Sequence, residues 1–329
     1  MGRDKSADAC WVGFDLGGTK MMAVVFDASF KPLGRARKRT HSKDGKEPAV
    51  DRMTRTIREA LAEARRGDED LAGVGIGFPG PLDLVKGVVL QAPNLGWKNF
   101  PLRDELEDRF SCPVVVGNDV DVGTYGEYRF GAAAGARCVL GVFPGTGIGG
   151  ACIYEGAILH GARASCMEIG HMKVVPRGPL CGCGGRGCLE SVSSRLAIAA
   201  AAAAAIYRGE APHLAKLAGT DVSEIRSAAL AESIAAGDRA IEMIVRQAAR
   251  HIGTAVANAV NLLAPDLVVL GGGLIEALPK IMVEECAARA EEDVMPSFRG
   301  TFRVVPAKLG DDAGVFGAAA LAANPEIWS

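Results

Sequence analysis

A chain of 329 residues, 49% of them hydrophobic, can bury a sizeable core and suits two domains or one large α/β domain with insertions. Its 42 glycines beside only 5% aromatics favour turns that approach a ligand over aromatic-lined apolar pockets. A formal charge of −2 gives no general reason to expect nucleic-acid or membrane binding, and the basic patch 31–40 is followed by Asp44, Glu47 and Asp51, as in a solvated strand and loop.

The first strand spans 10–16 (CWVGFDL) and a second 22–27, with the turn GGTK between them. Residues 28–32 form a hairpin turn into a third strand at 33–40. This opening differs from a dinucleotide-binding unit, where a helix follows the first glycines. Apolar positions at helical spacing predict an amphipathic helix over 48–66. A buried strand at 71–81 runs into a Gly-Pro loop, a helix covers 102–110, and a short apolar strand at 113–117 ends at Asn118-Asp119. The pattern strand, glycine turn, strand then recurs over 136–159, with a further turn at Glu155-Gly156.

The two copies are alike in shape more than in identity. They predict a duplicated α/β fold of two α/β domains around a cleft. The small N-terminal domain is residues 1–119, completed by a C-terminal helix within 314–329, and the large domain is 120–313. Residues 193–263 are mainly helical, and the alanine-rich run 196–206 reads as a soluble helix rather than a membrane span. A parallel-type strand at 265–273 ends in glycines, a strand follows at 302–306, and the last helix, 314–323, packs back near the first domain. The polar N-terminus does not resemble a signal peptide, so a cytoplasmic protein is expected, and the nine cysteines are thiols or metal ligands rather than a disulfide framework.

Several residues carry candidate chemistry. The turn Asp15-Leu16-Gly17-Gly18-Thr19-Lys20 suits phosphate: glycine N–H groups approach an anion, Thr19 adds a hydroxyl, and Asp15 can hold water around Mg²⁺. A plain hairpin turn would use the same glycines. The second turn, Gly145-Thr146-Gly147 through Gly150, makes the phosphate reading more specific, and the absence of GxxxxGK[ST] argues against a P-loop. Asn118-Asp119 is either a helix cap or places a carboxylate, Asp119, where it could take a proton from an attacking hydroxyl. His171 with Cys181, Cys183 and Cys188 is a four-ligand set sufficient for a closed, structural Zn²⁺, against free thiols in a glycine-rich loop. Glu168 and Glu190 flank these ligands and could accept hydrogen bonds from sugar hydroxyls, as could Asn94; surface carboxylates and a turn residue are the alternatives. Gly271 and Gly272 either receive a nucleoside or begin a helix.

The segments DLGGTK, GIGFPGP, PNLGW, GND, GTGIGG, EIGHM, CGCGGRGCLE and PDLVVLGGG occur in an order that resembles the ROK (repressor, open reading frame, kinase) family over nearly the whole chain. The combination of EIGHM with CGCGGRGCLE is highly specific, whereas the glycine turns taken singly are not. The resemblance implies an actin-like ATPase (ribonuclease H-like) fold and phosphoryl transfer from ATP to a hexose hydroxyl, foremost glucose to glucose 6-phosphate. By motif, Asp119 is then the general base, and Asn94, Asn118, Glu168, His171 and Glu190 bind sugar hydroxyls. His171 ligates zinc through one nitrogen and sugar through the other. Asp15, Gly17, Gly18, Thr19 and Lys20, with Gly145, Thr146 and Gly147, cradle phosphates and Mg²⁺, and Gly271 and Gly272 lie near the adenosine. The resemblance also implies a homodimer or homotetramer. An N-acylhexosamine kinase for N-acetylmannosamine or N-acetylglucosamine is the nearest alternative, followed by a polyphosphate glucokinase. A sugar-responsive repressor is disfavoured, since too few residues precede DLGGTK for a winged helix. Cys166, Met167, Asp121 and Pro144 depart from the family pattern and are expected to crowd the sugar pocket or its wall.

Overall fold

The structure is a computed structural model that describes residues 9–18, 20–40, 48–92, 95–162 and 166–328. Thr19 and Asn94 lie outside the described residues. In chain order, β1 (Cys10–Leu16), β2 (Lys20–Phe26) and β3 (Pro32–Arg39) lead to α1 (Ala49–Glu63) and β4 (Leu71–Phe78). Next come β5 (Leu82–Asp83), β6 (Val88–Ala92), β7 (Trp97–Phe100), α2 (Leu102–Phe110), β8 (Val114–Asn118) and α3 (Asp119–Phe130). The chain continues through β9 (Cys138–Pro144), β10 (Ile148–Tyr154), β11 (Ala157–Ile158), α4 (Glu190–Ser193), α5 (Arg195–Tyr207), α6 (Pro212–Ala218), α7 (Ser227–Ala235) and α8 (Arg239–Leu263). It ends with β12 (Leu267–Leu270), α9 (Gly273–Ala277), α10 (Pro279–Asp293), β13 (Arg303–Pro306) and α11 (Ala313–Ala323).

Strand order states the duplication that the sequence only suggests. One five-stranded sheet runs β3-β2-β1-β4-β8 and the other β11-β10-β9-β12-β13, so corresponding strands occupy corresponding places. In the first sheet β1 is antiparallel to β2 and parallel to β4, which is parallel to β8; in the second, β12 is parallel to β9 and β13. Each glycine turn therefore joins the same two positions of its own sheet. The three-stranded sheet β5-β6-β7 has no counterpart in the sequence expectations. Its strands are too short and too exposed to impose a clear period of two.

The chain divides into two compact units. The first runs through Gly135, takes in Cys152–Cys166 and resumes from Asp311; the second comprises Ala136–Ala151 and Met167–Gly310. The first unit thus keeps α3, which lies beyond the division after Asp119 that the sequence suggests. Close backbone packing explains this. A Cβ on Gly126 of α3 would meet the Ala313 carbonyl at 2.3 Å, and one on Gly317 of α11 would meet the Val122 carbonyl at 1.7 Å. The same helix lies on the sheet, where Gly13 and Gly75 leave no room for a side chain below Val315 and Ala318. On the other face, α1 buries Met53, Ile57, Ala60 and Leu61 at helical spacing and rests on Gly34 of β3.

In the second unit α8 turns an apolar stripe that includes Ile241, Val245, Ile252 and Val256 into a core shared with Leu140, Val268, Leu270, Met282 and Ile198. The alanine-rich run forms α5, and its buried face is Ile198, Ala199, Ala202 and Ala205. Among the described residues no helix is long and apolar enough to cross a membrane.

Candidate active site

In the first unit, parallel pairing brings two carboxylates to the same edge of the sheet. Asp15 of β1 is in register with Gly77 of β4, and the next residue of β4, Phe78, is in register with Asn118 at the end of β8. Gly77 stands between the acids: a Cβ there would lie 3.6 Å from Asp15 Oδ1 and 3.7 Å from Asp119 Cα. Carboxyl ends of parallel strands are where α/β sheets present ligand groups. Asn118 is the N-cap of α3, its Oδ1 accepting the N–H groups of Val120 (2.9 Å) and Asp121 (3.3 Å). The capping alternative is therefore realised, and it occupies the amide oxygen while leaving the –NH₂ as the group able to donate.

Burial pushes the Asp119 carboxyl well above the usual carboxylate range, against the pull of backbone N–H groups that include that of Val120. Burial, and then the charge of Asp119, raises Asp15 to about 7, with Lys20 pulling it back. Two acids so placed resist ionising together, which suits a pair that exchanges a proton and attracts a cation. Gly314, near the start of α11, closes on the Asp15 carboxyl, where a Cβ would meet Cγ at 3.1 Å. In the turn itself the Gly17 N–H donates to the Lys20 carbonyl at 2.8 Å, and a Cβ on Gly18 would meet nothing within 4 Å. The Lys20 ammonium pairs with Asp311 at 2.5 Å.

In the second unit the acids, the histidine and the cysteines come together around Ile148. Glu190, the first residue of α4, accepts the Ile148 N–H on Oε2 at 3.0 Å. On the other side of the strand start, a Cβ on Gly170 would lie 2.1 Å from the Ile148 carbonyl, so the turn carrying Glu168 and His171 is pressed against the same residue. Cys181 Sγ lies 3.6 Å from His171 Nδ1 and 3.7 Å from Glu190 Oε1. Glu168 is exposed, while His171 and Glu190 are half-buried.

Ligand atoms of His171, Cys181, Cys183 and Cys188 all lie within 4.8 Å of one another, and the sulfurs of Cys183 and Cys188 are 3.6 Å apart. A tetrahedron with Zn–S bonds of about 2.3 Å has edges of about 3.7 Å, so the cluster has the dimensions and the soft donors of a closed zinc site. Three thiolates around a divalent ion leave one net negative charge. The Lys173 ammonium, which donates to Cys188 Sγ at 2.7 Å, is placed to balance it. If Nδ1 takes the metal, the other ring nitrogen of His171 is the one that can meet a ligand.

The glycines after β12 have structural reasons of their own. A Cβ on Gly271 would strike the Phe143 ring at 2.3 Å, and Gly272, at φ +89°, caps α9. Met167 adopts φ +63°, an unusual conformation for a side-chain-bearing residue, and packs against the core of the second unit. Of the other departures, Asp121 is buried in α3, and Pro144 ends β9 with its carbonyl 3.1 Å from where a Gly272 Cβ would stand. The sequence pattern did not single out Lys173, Asp311 or Arg195, each defined by a contact distant in sequence. The only local signal was for Arg195, as the first residue of a helix five positions after Glu190.

A duplicated sheet with a glycine turn in each copy, and a buried carboxylate at a strand end, is the architecture of the actin-like ATPases. The ROK family model matches residues 11–324, and the chain belongs to that family. It is 35% identical to the glucokinase of Thermotoga maritima over 311 residues, 94% of this chain and 96% of that protein. Among solved structures it resembles a ROK family glucokinase from Streptomyces griseus in complex with glucose and AMPPNP, with a TM-score of 0.81 and 32% identity over 96% of this chain and 99% of that one. The ROK hexokinase of Thermus thermophilus matches with a TM-score of 0.78 and 33% identity, again over 96% of this chain and 99% of that one.

Proposed function

We propose that the protein is an ATP-dependent glucokinase that transfers the terminal phosphoryl group of ATP to a glucose hydroxyl, giving glucose 6-phosphate. The observation that carries the reading is the buried Asp119 at the end of β8, beside Asp15 and at the start of a helix capped by Asn118. Glucose as acceptor and ATP as donor are supported by the glucokinase relatives, and by the glucose and AMPPNP held by the Streptomyces griseus protein.

Phosphoryl transfer asks for alignment and charge neutralisation more than for covalent help. Asp119 takes the proton from the attacking hydroxyl, which raises the nucleophilicity of that oxygen as the phosphorus–oxygen bond to the leaving ADP breaks. The Asn118 –NH₂, Asn94, Glu168, His171 and Glu190 hold the remaining hydroxyls, the carboxylates accepting and the amides donating or accepting. Gly17, Gly18, Thr19 and Lys20, together with Gly145, Thr146 and Gly147, cradle phosphate oxygens through N–H and hydroxyl donors, and Gly271 and Gly272 face the nucleoside. Asp15 would hold Mg²⁺ through its water shell; when bound, the ion neutralises charge on the donor phosphates. His171, Cys181, Cys183 and Cys188 would hold Zn²⁺, which serves architecture because four protein ligands leave no position for water. The reading includes a cytoplasmic enzyme that assembles as a homodimer or homotetramer.

The test is an ADP-release assay with glucose, N-acetylmannosamine, N-acetylglucosamine, allose and fructose, using ATP and polyphosphate as donors. Glucose with ATP is expected to give the highest kcat/KM. Preference for an acylated hexosamine or for polyphosphate would reassign the substrate, and no turnover with any pair would remove the kinase reading.

A further inference from the structure

We propose that Arg195 is the phosphate-binding cation of the second glycine turn, contacting the phosphates of the nucleotide donor; this rests on the kinase reading above. The turn Gly145–Gly150 contains no charged residue. It is held from two sides by consecutive helices that carry opposite charges. From α4, Glu190 Oε2 accepts the Ile148 N–H at 3.0 Å and would lie 2.4 Å from a Cβ on Gly147. From α5, the Arg195 N–H donates to the Gly145 carbonyl at 2.9 Å, and its guanidinium Nη2 donates to Thr146 Oγ1 at 3.3 Å.

This divides the turn. An anion is held most strongly at Gly145–Thr146, beside the guanidinium, and progressively less through Gly147 toward Ile148, whose N–H the carboxylate already occupies. Phosphate oxygens therefore gather at the Arg195 end, while Glu190 is left to accept hydroxyl protons. The contact to Thr146 uses an acceptor position of the hydroxyl, whose own proton remains free to donate, and the guanidinium keeps further N–H donors for a bidentate contact.

Two further observations separate Arg195 from an ordinary surface arginine. Among the described residues no carboxylate pairs with it, whereas Lys20 in the first turn is engaged by Asp311. Its backbone is also fixed: Ser194 caps α5, its Oγ accepting the Ala197 N–H at 3.2 Å. The side chain is thus delivered to the turn by the helix start rather than by an ion pair.

The test is equilibrium binding of ADP and of adenosine to the full-length protein, as wild type, Arg195→Ala and Arg195→Lys, with ATP kinetics alongside. Losing a charge-assisted phosphate contact is expected to weaken ADP binding by about tenfold to hundredfold in Arg195→Ala. The KM for ATP should rise in parallel, and Arg195→Lys should recover part of the loss. Adenosine and glucose affinities should stay within about twofold of wild type, since neither ligand brings a phosphate to the turn. ADP affinity unchanged in Arg195→Ala overturns the proposal. So does an equal loss for adenosine and ADP, which marks a disturbed helix start. Arg195-dependent ADP binding in a protein that phosphorylates no sugar would uphold the proposal and remove the kinase reading. An active kinase indifferent to Arg195 would do the reverse.

Discussion

Asp15, near the end of β1, and Asp119, which begins α3 directly after β8, lie on either side of Gly77, and the charge of Asp119 helps hold the Asp15 carboxyl protonated up to about 7. An acid whose folded pKa lies above its unfolded value binds more protons folded than unfolded. Its contribution to stability is therefore fully present below the unfolded pKa of 3.8 and is lost as the pH rises through about 7. The metal-free protein should lose stability across that window, by at most about 4 kcal/mol from this group. Asp15→Asn removes the titration, so in urea denaturation it should gain on wild type between pH 5.5 and pH 8. Equal differences between the two proteins at both pH values would show that Asp15 titrates normally.

The same pair sets the acid side of catalysis. Asp119 must be ionised to accept a proton, and burial raises its pKa. The kcat/KM for glucose should therefore rise with pH from above the ordinary carboxylate range to a plateau. Asp119→Asn keeps the size of the side chain and removes the base, so kcat should fall by about 10²–10⁴-fold. Glucose binding, measured by calorimetry, should persist because hydrogen bonding to the sugar does not require the negative charge. Retained turnover in Asp119→Asn would take the base role from this residue.

What the sequence made legible was whatever is local or periodic. The helix α2 occupies the residues expected for it, 102–110, and the structure shows Leu102, Leu106 and Phe110 as its buried face. The approach of β8 to Asn118-Asp119 could be read because a strand and a helix start meet there. Asn118 shows the limit of such a signal, since the residue type fits a cap and a ligand equally well, and the cap contacts became visible only in the structure. Arg195 and Lys173 were illegible for another reason. Each matters through one partner, Thr146 or Cys188, that only the folded chain brings near. The zinc loop was the exception among distant contacts, because cysteine and histidine at ligand spacing carry meaning before any fold is known.

Glycines against α11 were read as turn formers or not at all, yet they decide how the first unit closes. A Cβ on Gly75 would sit 1.8 Å from the Ala318 carbonyl, and one on Gly13 at the same distance from the Val315 carbonyl. Backbone cannot swing aside as a side-chain end can, so the helix must lift from the sheet. Gly75→Ala should cost about 3 kcal/mol or more in urea denaturation. Gly18→Ala, at a position with nothing within 4 Å, should cost far less. A Gly75→Ala protein as stable as wild type would mean that α11 does not rest on β4 at this distance.

Metal removal tests the second unit separately. Protein purified without chelator should contain about one zinc per chain, because Cys₃His sites of this size bind zinc through folding itself. Cys183 is the exposed member of the set, so Cys183→Ser removes a ligand without opening a cavity in the core. The substitution should lower zinc content and reduce Tm by on the order of 5 °C, and a strong chelator should lower the Tm of wild type but not that of an already zinc-free variant. Lys173→Ala should retain zinc in buffer yet lose it at lower chelator concentration, because the ammonium beside Cys188 offsets the excess thiolate charge. Wild type free of zinc, with a Tm indifferent to both chelator and Cys183→Ser, would leave these cysteines as simple thiols. The positions of His171 and Glu190 would then depend on the backbone bonds of the loop, such as Leu189 N–H to the Met172 carbonyl at 2.9 Å, rather than on a metal.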